Sequence, residues 1–114
     1  MMEKHKIILV PFPFDDFSRA KVRPAVCLTN AIGKHRHVVI AFITSKAPVE
    51  LEKTDLTLDE SHASFTETGL KVSSTIRLHR LVTISSLFIR RELGRLPENV
   101  SSLVDQKLKQ LFEV

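Results

Sequence analysis

Arg23–Thr44 reads RPAVCLTNAIGKHRHVVIAFIT, and its pattern decides the fold. Two runs rich in β-branched and apolar residues, Arg23–Asn30 and His37–Thr44, lie on either side of the turn-forming stretch NAIGKHR. Such runs at that separation predict a β-hairpin with its tip near Gly33 and Lys34. Antiparallel partners then sum to about 67, which sets Arg23 opposite Thr44, give or take a residue or two for a bulge. Ser45 and Lys46 follow directly. A guanidinium, two hydroxyls and an ammonium therefore gather at the open end of the hairpin, a set suited to a phosphate. The same residues also fit a rim salt bridge at Arg23 and a simple strand-forming threonine at position 44.

Working outward, Lys6–Phe12 (KIILVPF) predicts another core strand, and Phe12–Ala20 (FPFDDFSRA) a long loop that rejoins the sheet near Lys21. Phe14 and Phe17 in that loop suit either anchoring against the core or stacking on bases. Lys71–Leu78 (KVSSTIRL) alternates, with Val72, Ser74, Ile76 and Leu78 on one face and Ser73, Thr75, Arg77 and His79 on the other. Weaker runs at Leu51–Leu58 and Leu81–Ile84 add candidate strands. Ser85 or Ser86 is placed to cap a short helical turn through Arg90, which the Gly94 region ends. Pro97–Phe112 repeats apolar residues at Val100, Leu103, Val104, Leu108, Leu111 and Phe112, a terminal helix with one buried face. The expectation is a single mainly β domain (α+β) of 114 residues, with a C-terminal helix packed on short strands of small-barrel size.

Composition narrows the function. The chain is 43% hydrophobic but has no apolar run near the roughly 18 to 20 residues that span a bilayer, so neither a membrane span nor a signal peptide is expected. The one cysteine, Cys27, cannot form an internal disulfide or a thiolate metal cluster, which favours a reducing cytoplasm and an inert core thiol. His35 and His37 form a two-ligand pair without an evident third, a weak metal signal beside the reading of a solvated turn. The formal charge of +4 is unevenly spread: Met1–Lys46 is net +5, Ala47–Leu70 net −5 and Lys71–Val114 net +4. Either the two basic stretches meet as one groove with the acidic stretch elsewhere, or the charges are scattered over a solvated surface.

The runs IILVPFPFDD, KVRPAVCLTN, VVIAFITSK, STIRLHRLVTI and LGRLPEN, in this order and spacing, resemble the PemK/MazF family of toxin endoribonucleases over most of the chain. The resemblance implies a small SH3-like β-barrel with a C-terminal helix. It also implies a homodimer, metal-independent cleavage of single-stranded RNA without a cofactor, and neutralisation by a cognate antitoxin. Matched position by position, the arginine of the family's RP motif falls on Arg23 and the threonine closing the third strand on Thr44, so both are implied catalytic residues. Lys21, Ser45, Lys46, Ser74, Phe14 and Phe17 are the expected substrate contacts, with Arg77 and His79 secondary ones that surface charge explains equally well. His5 and Lys6 stand where the family usually has Gly-Asp or Gly-Glu. Related small barrels also include toxins that poison gyrase by binding, so a non-catalytic toxin or nucleic-acid-binding module is the alternative.

Cleaving RNA without a metal requires the ribose 2′-hydroxyl to attack its own phosphate while the protein orients that phosphate and stabilises developing charge. Arg23 suits the charge, and Thr44 and Ser45 can donate hydrogen bonds to phosphate oxygens. The intrinsic pKa of arginine, about 12.5 or higher, makes it a poor general base near neutrality, so none is assigned. His35 and His37 lie up to about 30 Å along the hairpin from Arg23, too far to serve within one chain.

Overall fold

The computed structural model describes residues 3–12 and 21–114. The hairpin forms its centre. β2 (Lys21–Cys27) and β3 (His37–Thr44) are antiparallel, with Ala25 opposite Phe42, Val26 opposite Ala41 and Cys27 opposite Ile40. Each pair sums to the register expected from the sequence. The turn closes through reciprocal backbone bonds between Ile32 and His37 (2.7 and 3.0 Å), with Gly33 at φ +73° supplying the left-handed residue that the reversal needs.

β1 (Lys6–Phe12), β4 (Asp55–Leu58), β5 (Ser74–Ser85) and β6 (Arg91–Arg95) complete a six-stranded antiparallel sheet in the order β4-β5-β3-β2-β1-β6. The sheet is curled as a half-barrel, and one helix, α1 (Glu98–Phe112), follows it. Alternation in the central strands sends Ile7, Val26, Ala41 and Ile43 into one apolar cluster and Ile8, Val10, Ala25, Cys27, Val38 and Ile40 into another. Both sets are buried, which accounts for the near-continuous apolar runs in β1 and β3.

Several sequence expectations need correction. The two runs read as separate strands, at 71–78 and 81–84, are one strand, β5. Its pairing with β3 jumps from Ala41 opposite Leu81 to Ile43 opposite Ile76, so β5 bows away from its partner around residues 77–80. A bulge of this size breaks the period-2 pattern, and the sequence then reads as two strands. Arg91–Arg95 is an edge strand, not the end of a helical turn. The turn is confined to Ser86–Phe88, with the Ser85 hydroxyl accepting from the Leu87 amide at 3.2 Å. Gly94 sits within β6 because a Cβ there would come within 2.2 Å of the Glu67 carbonyl oxygen: it lets the strand press against the 3-10 turn Phe65–Thr68. In α1 the face packed on the core is Val100, Val104 and Leu108, whereas Leu103 and Phe112 are exposed. Phe14 and Phe17 lie outside the described residues.

Candidate active site

Extending the β2–β3 register two residues past its last pair sets Arg23 against Thr44 at the open end of the hairpin. Both line a cavity of about 630 Å³, together with Lys46, Arg77 and Arg80. Phe42, Ile43, Leu81 and Val82 supply apolar wall, and Ala47–Val49 closes one side. Two cations from each basic stretch thus meet on one concave surface, but the start of the acidic stretch, Ala47–Val49, lies there with them rather than elsewhere; among the described residues no carboxylate lines it. Four cationic side chains in a partly enclosed site attract an anion more strongly than the same charges dispersed over a surface.

Each strand contributes for a local reason. β2 begins at Lys21, so Arg23, paired with Val10 of β1, keeps its side chain exposed at the rim. β3 ends at Thr44, where the chain turns. There the Thr44 hydroxyl oxygen accepts a hydrogen bond from the Lys46 amide at 3.1 Å. That bond orients the oxygen and leaves its proton to donate outward. The bowed segment of β5 lets Arg77 and Arg80, three residues apart, reach the same cavity, which strict alternation forbids.

Arg77 is held from behind. Its Nε donates to Asp55 Oδ1 at 2.8 Å, and His79 Nδ1 approaches the same oxygen at 3.8 Å. The placement of Arg77 and His79 on one face is borne out by this convergence, yet His79 lines a different cavity, beside Glu52 and Gln110. Lys21 and Ser45 are exposed and flank the site without lining it. Ser74 is buried, with its hydroxyl donating to the Val72 carbonyl at 2.9 Å, and does not line the cavity. The sequence reading missed Arg80 and Asp55. Neither carries a local signal: Arg80 reaches the cavity through the bulge, and Asp55 begins a short strand whose partner Arg77 lies 22 residues on.

His35 and His37 lie at the hairpin tip with ring centroids 6.0 Å apart, and among the described residues no group of three or more potential ligands gathers there or elsewhere. Cys27 is fully buried, and burial, with Glu92 adding repulsion, pushes its thiol up to about 11, so it stays protonated and unreactive at neutral pH. No helix among the described residues is long and apolar enough to cross a membrane.

Comparison with known proteins bears on this geometry. The sequence profile of the PemK-like, MazF-like toxins of type II toxin–antitoxin systems matches residues 3–112. The chain belongs to this family. The fold agrees: Mycobacterium tuberculosis toxin MazF-mt6 superposes with a TM-score of 0.70 at 20% identity, covering 96% of this chain and 97% of that one. MazF from Deinococcus radiodurans (Form-I) gives 0.72 at 21% identity over 98% of this chain and 96% of that one. An endoribonuclease in complex with its cognate antitoxin, from a mycobacterial species, gives 0.74 at 12% identity over 100% and 97%. No curated protein sequence matches. The family members thus share with this chain a curled sheet and terminal helix despite low identity.

Proposed function

We propose that the protein is an endoribonuclease that cleaves single-stranded RNA at selected sequences without a metal, and that it is the growth-inhibiting toxin of a toxin–antitoxin pair. The observation that carries this reading is the joint lining of one cationic cavity by Arg23 and Thr44, the two positions matching the family's motif. The 2′-hydroxyl oxygen attacks the adjacent phosphorus, the bond to the 5′-oxygen breaks, and the products are a 2′,3′-cyclic phosphate and a 5′-hydroxyl. One proton leaves the nucleophile and one reaches the leaving oxygen. Arg23 stabilises the charge that builds on the phosphoryl oxygens, and the Thr44 hydroxyl donates to one of them. The side chains that line the cavity among the described residues, cations and the Thr44 hydroxyl, supply orientation and electrostatics.

Lys46, Arg77 and Arg80 grip neighbouring phosphates, with Lys21 and Ser45 at the rim. Ser74 joins them only if its bond to Val72 opens. A two-fold homodimer in the cytoplasm would lengthen the groove for RNA. A cognate antitoxin would inhibit by laying an acidic segment across the same cations. Two of the similar structures support that partner, one an endoribonuclease in complex with its cognate antitoxin and the other MazE–MazF from Deinococcus radiodurans.

The test is to incubate purified, antitoxin-free protein with a long mixed-sequence RNA in EDTA and map the new ends. Cyclic or 3′-phosphate ends paired with 5′-hydroxyls are expected, and DNA of the same sequence should bind without being cut. Strict magnesium dependence would sink the mechanism. Binding without cleavage would favour a non-catalytic toxin.

A further inference from the structure

We infer that Asp55 is a positioning residue for anion binding: it fixes the guanidinium of Arg77 so that its two terminal amino groups present a preformed fork to a phosphate in the cavity. The inference deepens the anion-site reading above and rests on it.

Asp55 in β4 stands directly opposite Arg77 in β5. Its side chain is completely buried, while that of Arg77 is about one-fifth exposed and lines the cavity. Both carboxylate oxygens are committed. Oδ1 accepts from Arg77 Nε at 2.8 Å, and Oδ2 accepts from the Glu52 amide at 2.8 Å. The Asp55 amide in turn donates to the Glu52 carbonyl at 3.0 Å, and Lys107 Nζ of α1 donates to the Lys53 carbonyl at 2.8 Å. The turn that carries Asp55 is therefore tied to the helix as well as to the sheet, and the carboxylate has little freedom to follow Arg77.

Stability alone does not explain this pair. Burying a carboxylate costs desolvation that its partner barely repays, and an apolar pair of similar volume generally does as well. Nor does field strength explain it, because a carboxylate behind Arg77 lowers the positive potential of a cavity whose other cations, Arg23, Lys46 and Arg80, have no ion-pair partner among the described residues. The arrangement gives up charge and gains direction. The bond runs through Nε, so the fork of terminal N–H groups that matches two phosphate oxygens stays available. An arginine already ordered in the free protein loses little further freedom on gripping an anion. Because Arg77 is assigned a neighbouring phosphate rather than the one that reacts at Arg23 and Thr44, it holds substrate and transition state alike, and its loss appears in KM more than in kcat.

The experiment measures the affinity of a mixed-sequence single-stranded DNA oligonucleotide, which cannot be cut, and kcat and KM on RNA of the same sequence, for wild type, Asp55→Asn, Arg77→Gln, Arg77→Lys and the Asp55→Asn/Arg77→Gln double variant. Asparagine offers one acceptor where two donors converge, so one of the two bonds is lost. Asp55→Asn is expected to weaken binding and raise KM about tenfold with kcat within about twofold. A pure field effect predicts the opposite sign, since the variant removes one negative charge. Arg77→Gln should lose a similar factor, the double variant no more than the larger single loss, and Arg77→Lys should fail to restore binding. Additive losses, wild-type affinity in Arg77→Lys, or tighter binding by Asp55→Asn would overturn the inference. Should Asp55→Asn melt early, the Arg77→Lys result decides alone. If folded wild type binds neither nucleic acid, the anion-site reading itself falls, whereas wild-type binding with unaffected variants overturns only the role of Asp55.

Discussion

The two ends of β2 treat charge in opposite ways. At its start, Arg23 stands exposed beside Thr44 and Lys46, and among the described residues none of its neighbours neutralises it. At its end, the His5 amide donates to the Cys27 carbonyl at 2.7 Å, and His5 Nε2 and Lys4 Nζ both meet Asp105 Oδ1, at 3.0 and 3.2 Å. The Leu96 amide closes the knot on the His5 carbonyl at 2.9 Å. One end uses its charges to join the N-terminal segment to the helix. The other leaves Arg23 and Lys46 without an ion pair among the described residues, an arrangement that costs stability and is common at sites that bind a ligand.

The sharpest way to break this contrast is Arg23→Ala. We expect cleavage to fall at least about a hundredfold, roughly 3 kcal/mol of transition-state stabilisation, with thermal melting unchanged. A folded variant that cleaves at the wild-type rate would move the chemistry elsewhere. Thr44→Ala removes one donor and should cost about tenfold, with Thr44→Ser milder because the hydroxyl remains. Equal losses in the alanine and serine variants would assign Thr44 a packing role.

The opposite end should respond in stability only. Asp105→Ala is expected to lower stability by about 1 kcal/mol, a modest figure because water screens this partly exposed cluster, and to leave cleavage untouched. Partial burial raises the Asp105 carboxyl, but the hydrogen bonds and charges of His5 and Lys4 outweigh it and hold the group below its ordinary value. A folded-state pKa lowered in this way contributes stability that is fully present above the unfolded value of about 3.9 and disappears as the pH falls through the folded one. Melting curves at pH 6 and pH 3 should therefore show wild type losing more than Asp105→Asn. A parallel loss would remove the carboxylate from the account.

The smallest effect is expected at His5, whose φ of +75° lies in the left-handed region. Glycine, usual in the family near this position, relieves a strain of about 1 kcal/mol but forfeits the Asp105 contact and loosens the unfolded chain. His5→Gly should shift stability by less than about 1 kcal/mol either way. A loss well beyond that would mean that the imidazole, rather than the backbone, anchors the segment.

The same contrast bears on how much the sequence disclosed. The hairpin was legible because two buried strands of matching length flank a glycine-bearing turn, and counting from that turn fixes the register out to Arg23 and Thr44. β6 was not legible: RELGR forms an edge strand with one half-buried leucine and no alternating face to betray it. The site's far wall was hidden for a related reason. Arg80 reaches the cavity through a bulge, and bulges leave no periodic trace. The partnership of Asp55 with Arg77 depends on cross-strand pairing between segments 22 residues apart, so neither residue signals it locally.

Because the cavity draws one wall from β2, a second from the end of β3 and a third from the middle of β5, it does not exist in a partial chain. During synthesis Arg23 and Thr44 are made early, yet the wall that β5 supplies, Arg77 with Arg80, Leu81 and Val82, is added only later, and until then the cavity is open on that side. A translation product that stops before β5 carries both motif residues and lacks the site. The order in which the strands are laid down thus delays assembly of the cationic cavity until the sheet is nearly whole.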